Sequence, residues 1–288
     1  MKLAISRAED ELRRLNSLGF NDWEQDINGV RVRQSKQSDE QRSISFPQLA
    51  YEGKSLKSDD FWSRHRANVI AEEIQKTGYE VIWEIGGGDG RVGIHLAKVG
   101  IGVISVEPLY AGCVKVAKSE LPVFLGTLPD LELPSGTINS VGFFDVLEHI
   151  EDDQAFLEYL NSILTEHGSI FLTVPAHKWL FSEHDLALGH FRRYSRRDLR
   201  KLLERCGFVI VREEHLYSAL VIPAIFMRRI PYLLGKRRGN TITLRQSEDV
   251  LNISKVLDKL LSLVLTFERK FKLSFGLSIF LVAEKKAQ

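Results

Sequence analysis

The run Val81-Ile-Trp-Glu-Ile85 leads straight into Gly86, Gly87, Gly88 and Gly90, and a helix-forming stretch begins at Arg91. A short apolar strand, a glycine turn and a helix, in that order, open a βαβ unit. The glycines let a ligand approach bare backbone, and amides at the helix N-terminus point towards it. The rhythm continues downstream. Glu80–Ile85, Gly102–Val106, Val123–Leu125, Asn139–Phe144, Ser169–Val174 and Phe208–Arg212 read as strands. Between them, Arg91–Val99, Tyr110–Lys118, Asp153–Leu164 (capped by Gly168) and Arg197–Arg205 read as helices. Such alternation predicts an α/β fold with a mostly parallel sheet covered on both faces. A seventh strand, Leu277–Ala283, arrives only after a helical insertion.

Composition narrows the function classes. The chain has 288 residues, 44% hydrophobic and 27% charged, with 39 Lys+Arg against 38 Asp+Glu. That balance excludes a disordered chain and a globally basic nucleic-acid binder. Cys113 and Cys206 are too few for a disulfide framework and lack zinc spacing. The opening MKLAISRAEDELRR places charges where a secretory signal needs an apolar run. The longest uncharged apolar stretch, Ser218–Met227, is stopped by Arg228 and Arg229, short of a membrane span. The expectation is a soluble, cytoplasmic protein.

Two regions flank the α/β pattern. Residues 1–58 read as an N-terminal arm, with an amphipathic helix marked by Leu12, Leu15 and Leu18 and a polar linker over Arg31–Arg42. Residues 59–288 read as one domain, opening on a helix capped by Ser58 or Asp59 and carrying the insertion over 216–275. The insertion joins apolar Leu216–Leu234 to the cations Lys236, Arg237, Arg238 and Arg245. A helix follows with Val250, Ile253, Leu257, Leu260, Val264, Phe267 and Phe271 on one stripe. This composition suits a cap over the site, a subunit contact, or peripheral contact of 216–245 with the inner face of a membrane. Its cations lack the aromatic interleaving that nucleic-acid reading requires.

Two ligands compete for the glycine turn. Gly88-Asp-Gly-Arg-Val-Gly93 is a literal GxGxxG with Glu107 about 20 residues on, the pattern of an NAD(P)-dependent oxidoreductase. Read from Glu84, the turn is Glu-x-Gly-x-Gly-x-Gly, which resembles the first motif of class I S-adenosylmethionine-dependent methyltransferases. An acid at the strand end accepts from an ammonium and repels a pyrophosphate, which favours the second ligand. Three further segments resemble motifs of that superfamily: Leu125-Gly-Thr-Leu-Pro129, Asn139–Ile150 and Ser169–Pro175. The helix opening Asp60-Phe-Trp-Ser-Arg-His-Arg66 is similar to the segment these enzymes place over the methionine end of the cofactor. The resemblance spans about Asp59 to Phe208 plus the last strand. It implies a Rossmann-like, seven-stranded, mostly parallel sheet and S-adenosylmethionine as cofactor. Gly86, Gly88 and Gly90 would make room for it, Glu84 would neighbour its amino group and Glu107 would hold its ribose. Arg64 or Arg66 would pair with its carboxylate, Thr127 and Leu128 would stand at its adenine, and Asp145 would touch the cofactor's edge. Thr127 stands where many members carry an acid, so adenine recognition falls to the Leu128 backbone.

Methyl transfer to a hydroxyl needs alignment, desolvation and a proton acceptor. Two clusters lie where loops leave the strands. The segment Asp145-Val-Leu-Glu148-His149 resembles one in ubiquinone-pathway O-methyltransferases, some of which use a divalent metal. It reads either as an ion site or as a helix cap, and we expect the cap, without a metal. The loop from His177 to Tyr194 holds three histidines with aromatic and cationic residues. His184 or His190 is the expected base, with His149 a further candidate. His177, Trp179, Arg192, Arg193 and Tyr194 are the expected acceptor contacts, against the alternative that Asp185 and the arginines brace the loop. The expectation is O-methylation of a small or lipid-linked acceptor. An inactive methyltransferase fold serving as an interaction module is the rival outside enzymology.

Overall fold

The computed structural model describes residues 1–20, 23–33, 61–234, 255–271 and 273–287. Its strands are β1 (Trp23–Gln25), β2 (Arg31–Arg33), β3 (Val81–Ile85), β4 (Gly102–Glu107), β5 (Val123–Leu125), β6 (Ile138–Phe144), β7 (Leu164–Pro175), β8 (Phe208–Leu216) and β9 (Ser278–Lys285). They form one sheet in the order β1-β2-β5-β4-β3-β6-β7-β9-β8. The ladders from β2 through β5, β4, β3 and β6 to β7 are parallel. The last strand, β9, slots antiparallel between β7 and β8. Every residue of β4 is buried, as a strand covered on both faces requires.

Helices supply that cover. On one face α1 (Lys2–Ser17), α5 (Asp153–Ile163) and α7 (Arg196–Arg205) bury Leu15, Leu160 and Leu203 against Trp83, Phe143 and Leu281. On the other, α2 (Phe61–Thr77), α3 (Arg91–Lys98) and α4 (Tyr110–Ala117) bury Ile70, Leu96 and Val116 against Ile82, Val103 and Phe280. Two shorter or later helices, α6 (Glu183–Ala187) and α8 (Lys255–Phe271), belong to the loops around the upper edge of the sheet. Ile82 and Trp83 go to opposite clusters, as adjacent positions on a pleated strand must.

The sheet has nine strands rather than seven. The two extra ones come from the region expected to be an arm. A hairpin of β1 and β2 adds to β5 through the Arg31–Phe124 pair, and Trp23 packs edge-on to Phe124 at 4.8 Å. Arg31–Arg33 is therefore strand, not linker; residues 34–42, Ser58 and Asp59 lie outside the described residues. Ala4, Ala8, Leu12 and Leu15 of α1 are buried, while Leu18 is exposed beyond the helix end. Helix α5 ends at Ile163 rather than at a Gly168 cap, because Leu164 is already extended and pairs with Ile138. Its start is capped by Asp152, which accepts from the Ala155 amide.

The insertion also differs from its expected pattern. Strand β8 runs on to Leu216, and short helical turns follow over Val221–Ala224, Ile225–Arg229 and Ile230–Leu233. Glu268 of α8 accepts from the Ser218 and Ala219 amides at 2.9 and 3.2 Å, tying the two described halves together. The expected inner stripe faces outward at Leu260, Val264 and Phe267, and Leu265 is buried instead. Val250 and Ile253 lie outside the described residues. No described helix is long and apolar enough to cross a membrane.

If α1 is core rather than arm, Leu15→Ala should cost about 2–5 kcal/mol of stability. Leu18→Ala should change it by less than roughly 0.5 kcal/mol. Urea-unfolding midpoints of the two variants check the contrast.

Candidate active site

The glycine turn rests on two buried acids. Glu84 is the penultimate residue of β3, beneath the turn, and its carboxylate occupies the space that a Cβ at Gly93 would need. Burial pushes its carboxyl up to about 8, opposed by the Gly93 amide and the Arg66 guanidinium. Glu107, at the end of β4, accepts from the Gly88 amide at 2.8 Å and from the Leu109 amide at 2.9 Å. Burial raises it to about 7 against those two hydrogen bonds. Gly86, Gly88 and Gly90 all take positive φ, at 69°, 57° and 81°. At Gly86 a Cβ would also come within 2.6 Å of Val146, so the chain after β6 seats directly on the turn.

Three non-glycine residues in left-handed conformation mark the same edge. Asp145 and Tyr217, with φ of 56° and 66°, directly follow β6 and β8, and His177, with φ of 63°, comes two residues after β7. Such backbone costs on the order of 1–3 kcal/mol each and persists where neighbours over-determine it. Asp145 is held by an ion pair with Arg66 and by the Thr173 hydroxyl at 2.9 Å. Tyr217 stacks on Trp62 at 3.6 Å and donates to its carbonyl at 2.9 Å. His177 stacks on His215 at 5.3 Å and lies against the half-exposed Trp179. Burial lowers both imidazoles, His215 to about 4.

Of the two arginines expected near the cofactor, Arg66 reaches the site and Arg64 bonds Ser262 of α8 at 3.1 Å. The Thr127 amide and hydroxyl both donate to Asp130, and Leu128 is buried.

The loop after β7 folds back onto the segment after β6. Ser182 and Asp185 form a capping box at the start of α6, and Asp185 is fully buried. Its Oδ1 meets Arg193 Nε at 2.7 Å and His190 Nδ1 at 3.1 Å. Although burial opposes it, the His190 imidazole and the Arg193 guanidinium hold its carboxyl well below the usual range. His190 packs edge-on to His149 at 4.6 Å, and its Nε2 lies 4.0 Å from Glu148 Oε1. Burial, with His190 adding to it, lowers His149 to about 4. His184 sits half-buried on α6.

Several expected acceptor contacts are engaged internally instead. Arg193 is buried on Asp185 and the Ala176 carbonyl. Tyr194 donates to Asp153 at 2.8 Å and is buried; the loss of solvent raises its phenol. Arg192 pairs with Asp153 at 2.9 Å and donates to the Glu151 carbonyl. The bracing alternative therefore describes the arginines and Tyr194. Sequence reasoning missed the Asp185–His190 pair, although Ser182-x-x-Asp185 is a legible cap signature. It also gave no role to Tyr217, nor to Trp62 and Thr173 within the segments Asp60–Arg66 and Ser169–Pro175.

Residues 61–213 match the family described as a methyltransferase domain. The chain belongs to that family. Class I recognition, the Rossmann-like α/β fold and S-adenosylmethionine as cofactor agree with this membership, and the dinucleotide reading of Gly88–Gly93 is not favoured. A curated relative from Mycolicibacterium smegmatis, named a probable S-adenosylmethionine-dependent methyltransferase, is 26% identical over 160 residues, 54% of this chain and 62% of that protein. The matched part thus spans less than two thirds of the relative's length. Among solved structures, one from Galdieria sulphuraria, provisionally a sarcosine dimethylglycine methyltransferase, aligns with TM-score 0.52 and 16% identity over 77% of this chain and 85% of its own. A [4+2]-cyclase aligns with TM-score 0.51 and 14% identity over 78% and 81%. Likeness at those identities shows the fold alone, and the methyltransferase's chemistry has to be argued from its site.

The raised Glu84 carboxyl gives a pH signature. Its folded value exceeds its unfolded one, so the contribution to stability is full below about 4.5 and is lost as pH rises through about 8. Glu84→Gln keeps the shape and removes the titration. Its stability relative to the parent should rise steadily across that window and level off at either end, as read by thermal unfolding at several pH values.

Proposed function

We propose that the protein transfers a methyl group from S-adenosylmethionine to an oxygen of a small or lipid-linked acceptor. The observation that carries this is the glycine turn seated on Glu84 and Glu107, with the Asp185–His190 pair among the loops of the same sheet edge. The residues suit the cofactor. The turn offers side-chain-free backbone, Glu107 retains lone pairs for ribose hydroxyls, and Glu84 is an acid that a nearby ammonium would return to its ionised form. Arg66, already fixed by Asp145, acts on Glu84 and suits the cofactor's carboxylate.

The reaction is an in-line displacement. The acceptor oxygen forms a bond to the methyl carbon, the carbon–sulfur bond breaks, and the sulfur leaves as a neutral thioether. The hydroxyl proton needs a base, and His190 suits that role best of the three candidates. Asp185, held ionised, accepts from Nδ1–H and leaves Nε2 as the proton acceptor. His149 is a weaker base because burial and His190 depress it.

A lipid-linked acceptor is supported by the apolar surface of the insertion. Ile222, Phe226, Met227, Leu233, Leu234 and, on α8, Leu263 are each more than half exposed, more than single scattered residues would account for. Flotation with anionic vesicles tests that part, and protein left in the aqueous fraction would remove it.

Mass spectrometry for a +CH₂ product, after incubation with S-adenosylmethionine and fractionated lipid or small-metabolite extracts, tests the activity. Binding without any product would identify an interaction module instead. Glu107→Gln should weaken S-adenosylhomocysteine roughly ten-fold to a hundred-fold, because a charge-assisted acceptor is lost. Cofactor binding at pH 7 should release protons from Glu84, so its calorimetric enthalpy should vary with the buffer's ionisation enthalpy. An enthalpy independent of buffer would place the ammonium elsewhere.

A further inference from the structure

Glu148 is the least explained side chain of the site. It is fully buried, and neither oxygen of its carboxylate has a hydrogen-bond partner. A buried carboxylate in that state is costly unless it is neutralised or meets a cation. Its Oε1 faces His190 Nε2, and ligand atoms of Glu148, His149 and His190 all lie within 4.8 Å of one another.

From this geometry we infer that Glu148, His149 and His190 bind a divalent transition-metal ion. One carboxylate and two imidazoles from two different loops converge on a point where the acid has no other partner. Bonds of about 2.0–2.2 Å hold ligand atoms roughly 3–3.5 Å apart, so the three groups need to close by about an ångström. The shell behind them is already built. Asp185 accepts from His190 Nδ1, the arrangement by which a carboxylate orients a metal-binding imidazole and fixes its tautomer. Arg193 holds Asp185 in turn, and the Phe191 amide donates to the Glu148 carbonyl at 2.8 Å, locking the two loops together. Two nitrogen ligands select Mn²⁺, Fe²⁺ or Zn²⁺ over Mg²⁺ and Ca²⁺, which prefer all-oxygen sites. Three protein ligands leave open positions, where the ion would lower the cost of ionising an acceptor hydroxyl; with the ion bound, the His190 Nε2 lone pair is a ligand, and this replaces its part as the base. The ligand set differs from the one the Asp145–His149 motif suggests, because His190 comes from a loop that the motif does not include.

Metal binding is measured without turnover, so its failure is separable from failure of the methyltransferase reading. The untagged full chain, stripped by chelation, is titrated with Mn²⁺ while the electron paramagnetic resonance signal of the free ion is followed. The expected result is one equivalent bound, not displaced by excess Mg²⁺. Glu148→Gln, nearly isosteric with a neutral acid, should fold normally and lose that equivalent, as should His190→Ala. His167→Ala, at an exposed histidine, should keep it. Calorimetry with S-adenosylhomocysteine on the same samples reports the cofactor site independently. Absence of a stoichiometric site in the parent, displacement by Mg²⁺, or unchanged binding in folded Glu148→Gln and His190→Ala would each overturn the inference.

Discussion

Glu107 joins two loops with one side chain, accepting from the Gly88 amide with one oxygen and from the Leu109 amide with the other. Because β3 and β4 are parallel neighbours paired from Val81–Gly102 to Ile85–Val106, both loops leave the sheet at the same edge. The clamp sets how the glycine turn lies above Glu84. A carboxylate that orders backbone amides while retaining lone pairs can also receive a ligand's hydroxyls. Everything proposed for the cofactor depends on that turn keeping its shape before the ligand arrives.

The strain lies along the same edge. Asp145, His177 and Tyr217 each turn into left-handed backbone as their strands end, and each is pinned by a partner from elsewhere in the chain. Arg66 and Thr173 hold Asp145, His215 stacks on His177, and Trp62 stacks on Tyr217. Helix α2 supplies two of these partners, Trp62 and Arg66, so it pins the chain after both β6 and β8. That dual role gives the helix a function beyond covering the sheet.

The loop after β7 is rigid because its ionic groups face inward. Asp185 satisfies a helix cap, an arginine and a histidine at once, and buried networks of this kind rigidify only when each member is satisfied. Arg193 belongs to that network, and Tyr194 is held beside it by Asp153 and the Leu147 carbonyl. Within this satisfied surround, Glu148 stands out as the acid left without a hydrogen bond.

Local pattern was enough to read the α/β class, the seven central strands, the glycine turn and the two acids near the ends of β3 and β4. Each depends on neighbours in sequence: period-two apolar runs, turn glycines and strand-end positions. The β1–β2 hairpin escaped that reading because Trp23–Gln25 and Arg31–Arg33 are short and polar, and become strands only by pairing with β5. The outward face of α8 escaped it because a single stripe does not say which side a sheet will cover. His190 beside Glu148 and His149 was equally hidden, since roughly forty residues separate them and only the parallel order of β6 and β7 brings their loops together. The sequence by itself determined which residues could serve as acids, bases and turns. The tertiary structure decided which of them meet, because contacts between strand-end loops depend on strand order, and strand order is a property of the whole sheet.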